Sequence, residues 1–414
     1  MTLRNRELAA LLTVGALTAI GFATVYIALK SQISGGSLGY AVFFFGLYLV
    51  AHIVARLTVP LADPYLLPMA ALLTAIGVTE IYRLGPDNAF RQGLWIVIGV
   101  AAFGATLFWL HRDYRVLERY KYVFGVTAIF LLLLPWAPGL GETINGSRLW
   151  IHFGSLQFQP SELGKIALIV FLAAYFREKR EVLAQGRLKD WGPLLVIWGL
   201  AMLYVATARL SFVAGALGLF LVGAFAVSQG TPHVRDRVAN WLSPWSAHKI
   251  VCPIDGRMHL RQECQSYQQV QSLYSIGHGG FGGTGLGHGI FTGKTGKQVI
   301  PDLNTDFIYS ALAQELGLVG VAALLLLYMA FVLRGFRIAL TATDGFSKLL
   351  AAGLSFSFAF QTFVIVGGIT RVIPLTGITL PFVSYGGSSV VANFLLVAGL
   401  LLISNRANRE GAVA

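Results

Sequence analysis

Runs of uninterrupted apolar residues recur along this chain from its first turns to its last, as in AALLTVGALTAIGFATVYIAL near the start and VVANFLLVAGLLLIS near the end. Several approach the about twenty residues that a helix needs to cross a bilayer. Backbone in hydrocarbon must satisfy its own N–H and C=O groups, so only helices and closed barrels can host such runs. The runs are continuous rather than alternating, which selects helices over barrel strands. With 56% hydrophobic and only 12% charged residues among 414, a soluble two-domain protein is excluded. The expected fold is all-α, a polytopic transmembrane helical bundle of about eleven spans.

Basic residues orient the bundle, because Lys and Arg flanking a span mark its cytoplasmic end. Spans are expected near 8–30, 37–57, 64–83, 90–111 and 120–138, with Arg4 and Arg6, then Arg112, Arg115, Arg119 and Lys121, on the cytoplasmic side. The first run has no small-residue cleavage site behind it and reads as a retained span rather than a signal peptide. Residues 139–159 then fall outside, a sixth span occupies about 161–176, and the basic stretch 177–191 returns to the cytoplasm. The apolar stretch 192–228 is long enough for two spans broken near Arg209, although one crossing or three would fit the later charges better. A long external loop, 229–305, precedes spans near 306–333, 347–367 and 387–405, oriented by Arg334, Arg337, Lys348, Arg406 and Arg409. Four regions follow: 1–138, 139–228, 229–305 and 306–414. In the last, 368–386 is too rich in Gly, Pro, Ser and Thr for a regular span and reads as a re-entrant element bordering a cavity. The net charge of +12 fits cytoplasmic flanks, membrane lipids or an anionic substrate rather than nucleic acid.

Few residues offer chemistry. Residues 271–305 form a glycine-rich, nearly acid-free stretch that ends at Asp306, a carboxylate at the lip of an apolar helix. Such a group costs free energy unless something pairs with it, although Asn304, Thr305 and Asp306 would also serve as a plain helix cap. Glu162 and Lys165 stand at i and i+3, either as a structural ion pair or as the lining of a polar cavity. GIFTGKT imitates a phosphate loop, but His288 takes the place of its first glycine and no strand precedes it. Cys252 and Cys264 can form a disulfide or remain free thiols, and with His259 they make a poor zinc site. No metal site is assigned.

Topology instead gathers Arg148, Glu162, Lys165, Gln271, Asp306, Arg371, Ser384 and Ser388 on the external face. One carboxylate among several cations suits a displacement in which an acceptor hydroxyl loses its proton while an anionic phosphate departs. A divalent cation, Mg or Mn, would assist that departure.

The segments INGSRLWIHFGSLQFQPSELGKIAL, YQQVQSLYSIGHGGFGGTGLGHG, PDLNTDFIYSALAQELGLVG and TGITLPFVSYGGSSVVANF closely resemble the SEDS proteins, the RodA, FtsW and SpoVE polymerases of bacterial cell-wall synthesis. The resemblance covers about 140–405 and breaks near 199. Arg371 stands where many members carry glycine, which is closer to the RodA branch. The resemblance implies a multi-pass protein of the bacterial plasma membrane that polymerises lipid II, the undecaprenyl-linked disaccharide-peptide, into peptidoglycan glycan strands during elongation or division. It implies a class B penicillin-binding protein as transpeptidase partner. Asp306 matches the family's loop aspartate and is assigned to the acceptor hydroxyl. Glu162 and Lys165 match its intramembrane polar pair, and Arg148 and Lys165 are assigned to the pyrophosphate, with Gln271, Ser384 and Ser388 as further substrate contacts. The family's Asp-Leu-Gly motif, expected in 192–228, is absent. Transport of lipid II across the bilayer, or a scaffold that recruits a transpeptidase without catalysis, are the alternatives.

Overall fold

The computed structural model describes residues 2–30, 35–144, 147–153, 156–184, 232–247, 249–252, 256–292 and 298–411. Its helices are α1 (Leu3–Lys30), α2 (Gly35–Thr58), α3 (Leu66–Leu84), α4 (Pro86–Leu110), α5 (Val116–Arg119), α6 (Lys121–Leu133), α7 (Pro160–Ala184), α8 (Pro232–Leu242), α9 (Tyr267–Gly279), α10 (Ile308–Thr341), α11 (Gly345–Ile369) and α12 (Gly387–Gly411). Seven of these, α1 to α4 and α10 to α12, are long and apolar enough to span a bilayer. Helix α6 is shorter and continues through a 3-10 turn to Trp136. Helix α7 has the length, 25 residues, but carries Glu162 and Lys165 in its first turns. The expected spans of 192–228, the crossing count there and the place of the missing Asp-Leu-Gly motif lie outside the described residues.

Burial separates the centre of the bundle from its rim. In α12 and α3, 89% and 78% of the most apolar stretch is buried, against 28% in α1 and α10. The inner pair therefore packs protein on all sides, while the outer helices present apolar side chains such as Ile20, Leu326 and Leu333 outward, as lipid-facing helices do. Phe331 stacks on Phe358 with ring centroids 4.3 Å apart, and Phe382 meets Phe394 edge-on at 5.4 Å. These contacts tie α10, α11, α12 and the 370–386 segment into one core.

The structure goes beyond the sequence reading at three places. The external segment after α6 forms a three-stranded antiparallel meander, Gly141–Ile144, Ser147–Phe153 and Leu156–Phe158. Lying beyond the spans, its open edges can hydrogen-bond to water, which hydrocarbon would forbid. The expected span 306–333 is not one helix, since α10 begins at Ile308 and is broken at Gly317, whose φ of 66° and ψ of −171° are non-helical. Finally, Arg4 lies in the first turn of α1. It is buried, bound to Glu7 at 2.5 Å and to the Ala62 carbonyl, and His52 Nδ1 lies 2.6 Å from the same glutamate.

The long loop carries its own structure. Strands Lys249–Val251 and Met258–Leu260 pair, and a disulfide between Cys252 and Cys264 closes the loop beyond them. Such bonds persist in oxidising compartments, in accord with the external side expected for this loop.

Candidate active site

The turn 301–307 presents Asp306, and its own residues dictate its shape. Asp302 adopts the left-handed conformation, φ 56°, which a short polar side chain tolerates better than most. Its carbonyl then accepts from the backbone N–H of Thr305, Asp306 and Phe307, at 3.1, 3.1 and 3.4 Å, and from the Thr305 hydroxyl at 3.0 Å. Leu303 and Phe307 anchor the turn in the core. Asp306 is left half-buried between them.

The 370–386 segment closes over this turn. Ser384 Oγ donates to the Thr305 carbonyl at 2.6 Å and accepts from the Leu380 N–H at 2.9 Å. Tyr385 N–H donates to the Asn304 carbonyl at 2.9 Å. From α4, the buried side chain of Gln92 donates to the Ser384 carbonyl and accepts from Gly386 N–H, at 3.2 and 3.1 Å. The N-terminal spans, which sequence reasoning left without a role, therefore grip the segment that holds Asp306.

Gly377, at φ 70°, is the point of closest approach. A methyl group there would stand 3.2 Å from Asp306 Oδ2 and 3.5 Å from Arg237 Nη2. Arg237 comes from α8 in the long loop and donates to the Leu375 and Thr376 carbonyls at 3.0 and 2.6 Å. Burial pushes the Asp306 carboxyl up to about 6, and the neighbouring Asp302 adds to this, while Arg237 and the Thr305 hydroxyl pull it down. Burial likewise lowers the Arg237 guanidinium, against the attraction of Asp306. An acid poised near neutral pH beside a cation can alternate between proton acceptor and donor.

Helix α8 is docked by a second arginine. Arg371 Nε and Nη2 donate to the Trp241 carbonyl at 3.1 and 2.8 Å, Trp241 Nε1 returns a bond to the Arg371 carbonyl at 3.0 Å, and the guanidinium sits 5.0 Å from the Trp245 ring. Arg371 thus positions α8, and with it Arg237, rather than facing the Asp306 turn itself.

Glu162 and Lys165 do meet. Lys165 Nζ donates to Glu162 Oε2 at 3.0 Å and to Gln361 Oε1 at 2.6 Å, while Gln361 Nε2 donates to the Thr379 carbonyl at 2.9 Å. The pair is linked through α11 to the segment beside Asp306. In low dielectric, one unpaired charge is worse than none. Glu162→Gln alone is therefore expected to lower the thermal unfolding midpoint more than the double variant Glu162→Gln with Lys165→Met, a comparison that thermal melts of the purified protein can make.

The remaining candidates take other places. Ser388 is buried and its Oγ accepts from Gln159 N–H at 2.7 Å, so the oxygens of both serines hold backbone N–H groups. Gln271 lies half-buried on α9 and makes none of the hydrogen bonds of the Asp306 cluster among the described residues. Arg148 belongs to the second strand of the meander, with its side chain outside the described residues.

Sequence reasoning missed Arg237, Gln361 and Glu315. The last two carried a signal, since a polar group within an apolar helix calls for a partner. Glu315 accepts from Gly287 and Gly289 N–H at 2.8 and 3.0 Å and lies 3.4 Å from Arg83 Nε, so it fastens the glycine-rich loop. Arg237 carried no comparable signal in a segment read as loop.

Comparison with known proteins identifies relatives of the whole chain. The FtsW/RodA/SpoVE family profile, described as a cell cycle protein, matches residues 56–200 and 189–409. The chain is 37% identical to the peptidoglycan glycosyltransferase RodA of Mycobacterium tuberculosis, over 99% of this chain and 92% of the relative. It is 33% identical to stage V sporulation protein E of Bacillus subtilis, over 84% and 98% of the two chains. Among solved structures, RodA of Thermus thermophilus superposes with a TM-score of 0.51 at 27% identity, over 83% of this chain and 97% of that one. A chain from a peptidoglycan synthase complex, described as coordinating polymerization and crosslinking, superposes with a TM-score of 0.60 at 27% identity, over 84% and 98%. The two profile matches overlap at 189–200, around the break near 199 that the sequence shows, and the alignment to RodA runs over 454 positions against 414 residues.

Proposed function

This chain belongs to the FtsW, RodA and SpoVE family, and from that premise we propose that it is the peptidoglycan glycosyltransferase of a multi-pass bacterial membrane protein, polymerising lipid II at Asp306. The observation that carries the proposal is the half-buried Asp306 carboxyl, held near pH 6 beside Arg237 and the Gly377 turn. Ionised, it takes the proton of the acceptor sugar hydroxyl as that oxygen attacks the anomeric carbon of the lipid-linked chain. The bond from that carbon to the diphosphate oxygen breaks, and the electron pair leaves with the diphosphate, which needs no proton to depart.

Cations then govern the leaving group. Arg237 lies nearest the base, and Lys165, with Arg148 on the meander, would meet the diphosphate as negative charge accumulates. Glu162 orients Lys165, while Ser384 and Ser388 keep the 370–386 segment and the start of α7 in place. Gln271, half-buried on α9, would contact the sugar or peptide. A divalent cation, Mg or Mn, would neutralise the departing diphosphate. Among the described residues no group of three or more His, Cys, Asp or Glu gathers to hold one. Such an ion would therefore draw its remaining ligands from diphosphate oxygens and water, as Mg commonly does, and no step here is routed through it. The likeness to a chain from a complex that couples polymerization to crosslinking supports a class B penicillin-binding protein as partner.

The test is direct. Purified protein in bilayers, supplied with lipid II, is expected to form glycan strands visible on gels. Movement of labelled lipid II between leaflets without polymer would replace the proposal with transport. Binding of a penicillin-binding protein with neither activity would leave a scaffold.

A further inference from the structure

The end of the bundle opposite Asp306 holds a cavity of about 1230 Å³ that the reaction above does not use. Its walls come from two distant parts of the chain, the connection 111–121 between α4 and α6 and the last turns of α12. Six cations line it: Arg112, Arg115, Arg119, Lys121, Arg406 and Arg409. The acids in the wall are already engaged, Glu118 with Arg177, Glu410 with Arg406, and Asp113 with the Arg115 N–H. Lys121 is paired with Glu178. Among the described residues Arg112, Arg115, Arg119 and Arg409 form no direct ion pair, and although Asp344 also attracts Arg115 and Arg406, six cations against the three acids of the wall leave the concavity positive.

Basic residues that only orient a span require no shared cavity, whereas these converge across most of the chain's length. The cavity also sits at a definite depth. Trp109 on α4, Tyr120 just before α6 and Tyr122 on α6, close in sequence to the lining residues, are exposed by 77%, 53% and 61%, as aromatic side chains are at the level of lipid headgroups. We propose that this cavity is a cytoplasmic-leaflet site for the phosphate headgroup of an anionic phospholipid, held by Arg112, Arg115, Arg119 and Arg409. A guanidinium fork matches two phosphate oxygens at once, and basic pockets between helices on the cytoplasmic side suit such headgroups. A zwitterionic headgroup would bring its own ammonium against the same four cations. The proposal does not rest on the glycosyltransferase reading, and a chain inactive on lipid II would still bind.

The experiment uses the full chain extracted from bilayers of mixed phosphatidylglycerol and phosphatidylethanolamine, with co-purifying lipid counted by native mass spectrometry. The expected result is enrichment of phosphatidylglycerol over the bulk ratio. The combined variant R112Q/R115Q/R119Q/R409Q is expected to lower that enrichment by about tenfold or more. The matching four-lysine variant retains the charge, should keep most of the enrichment, and separates loss of binding from loss of folding. If the glutamine variant does not fold, Arg115→Gln and Arg409→Gln made singly are each expected to weaken retention several-fold. Equal retention by wild type and variants, or a preference for phosphatidylethanolamine, would overturn the proposal. Inorganic pyrophosphate supplies the second arm: retention unchanged by millimolar pyrophosphate supports a lipid site. Displacement of the lipid, with pyrophosphate itself bound, would assign the cavity to a soluble phosphate compound instead.

Discussion

Asp306→Asn is expected to slow glycan polymerisation by about 10²–10⁴-fold, the range lost when a general base is removed. The amide fills the same space between Gly377 and Arg237 but cannot accept the acceptor's proton. Folding should not suffer. Burial raises the Asp306 carboxyl to about 6, so the native state favours its protonated form. That preference is fully present below the ordinary carboxylate range and is lost as pH rises through 6. At neutral pH the ionised side chain is thus a burden on stability, and the asparagine variant should melt no lower than wild type. Asp302→Asn is the control. Its backbone carbonyl holds the turn, its carboxylate accepts from Gln268 Nε2 at 3.4 Å, as an asparagine side-chain oxygen also can, and asparagine tolerates φ 56° at that position. Polymer should still form, with the Asp306 titration moved downward because a neighbouring negative charge has gone.

Gly317→Ala should be among the most destabilising single substitutions in the chain, at about 3 kcal/mol or more. Its φ of 66° and ψ of −171° belong to a region that essentially glycine alone occupies. A methyl group there would also collide with the Gly283 backbone, and one on Gly283 would collide with Glu315. At this crossing the glycine-rich loop lies backbone against backbone with the break in α10. Leu318 N–H donates to the Gly280 carbonyl, and Gly285 N–H to the Glu315 carbonyl, both at 2.9 Å. Gly282→Ala provides the comparison, because a methyl group there meets nothing within 4 Å. Thermal melts of the two variants should differ widely, and equal midpoints would mean that the loop does not depend on this contact.

How much of this was legible in the sequence followed the length scale of each signal. The spans could be placed because about twenty apolar residues in succession have one physical reading, and the helices from α1 to α4 begin and end close to where the runs do. The three strands between Gly141 and Phe158 escaped notice, being short and set in a polar segment where alternation is hard to distinguish from loop. The break at Gly317 was equally hidden, since a lone glycine in an apolar run is ordinarily tolerated within a helix. Asp306 stood out as the acid at the helix lip after a long stretch whose only other acid is Asp302. Arg237 did not, because its role depends on how α8 folds back onto Leu375 and Thr376, a tertiary contact with no local pattern. Gln361 shows the intermediate case. Its polarity within an apolar helix announced a partner, but only the fold identifies Lys165 and the Thr379 carbonyl as that partner.

The rate of strand formation as a function of pH examines the base itself. With lipid II well below saturation, where the rate reports the free enzyme, the wild-type rate should rise through an inflection near pH 6 and then level off. Arg237→Gln should carry that inflection to higher pH, because a cation that holds the carboxylate ionised has been removed. A wild-type rate flat from about pH 5 to 8, or an inflection indifferent to Arg237, would show that the proton is taken up elsewhere.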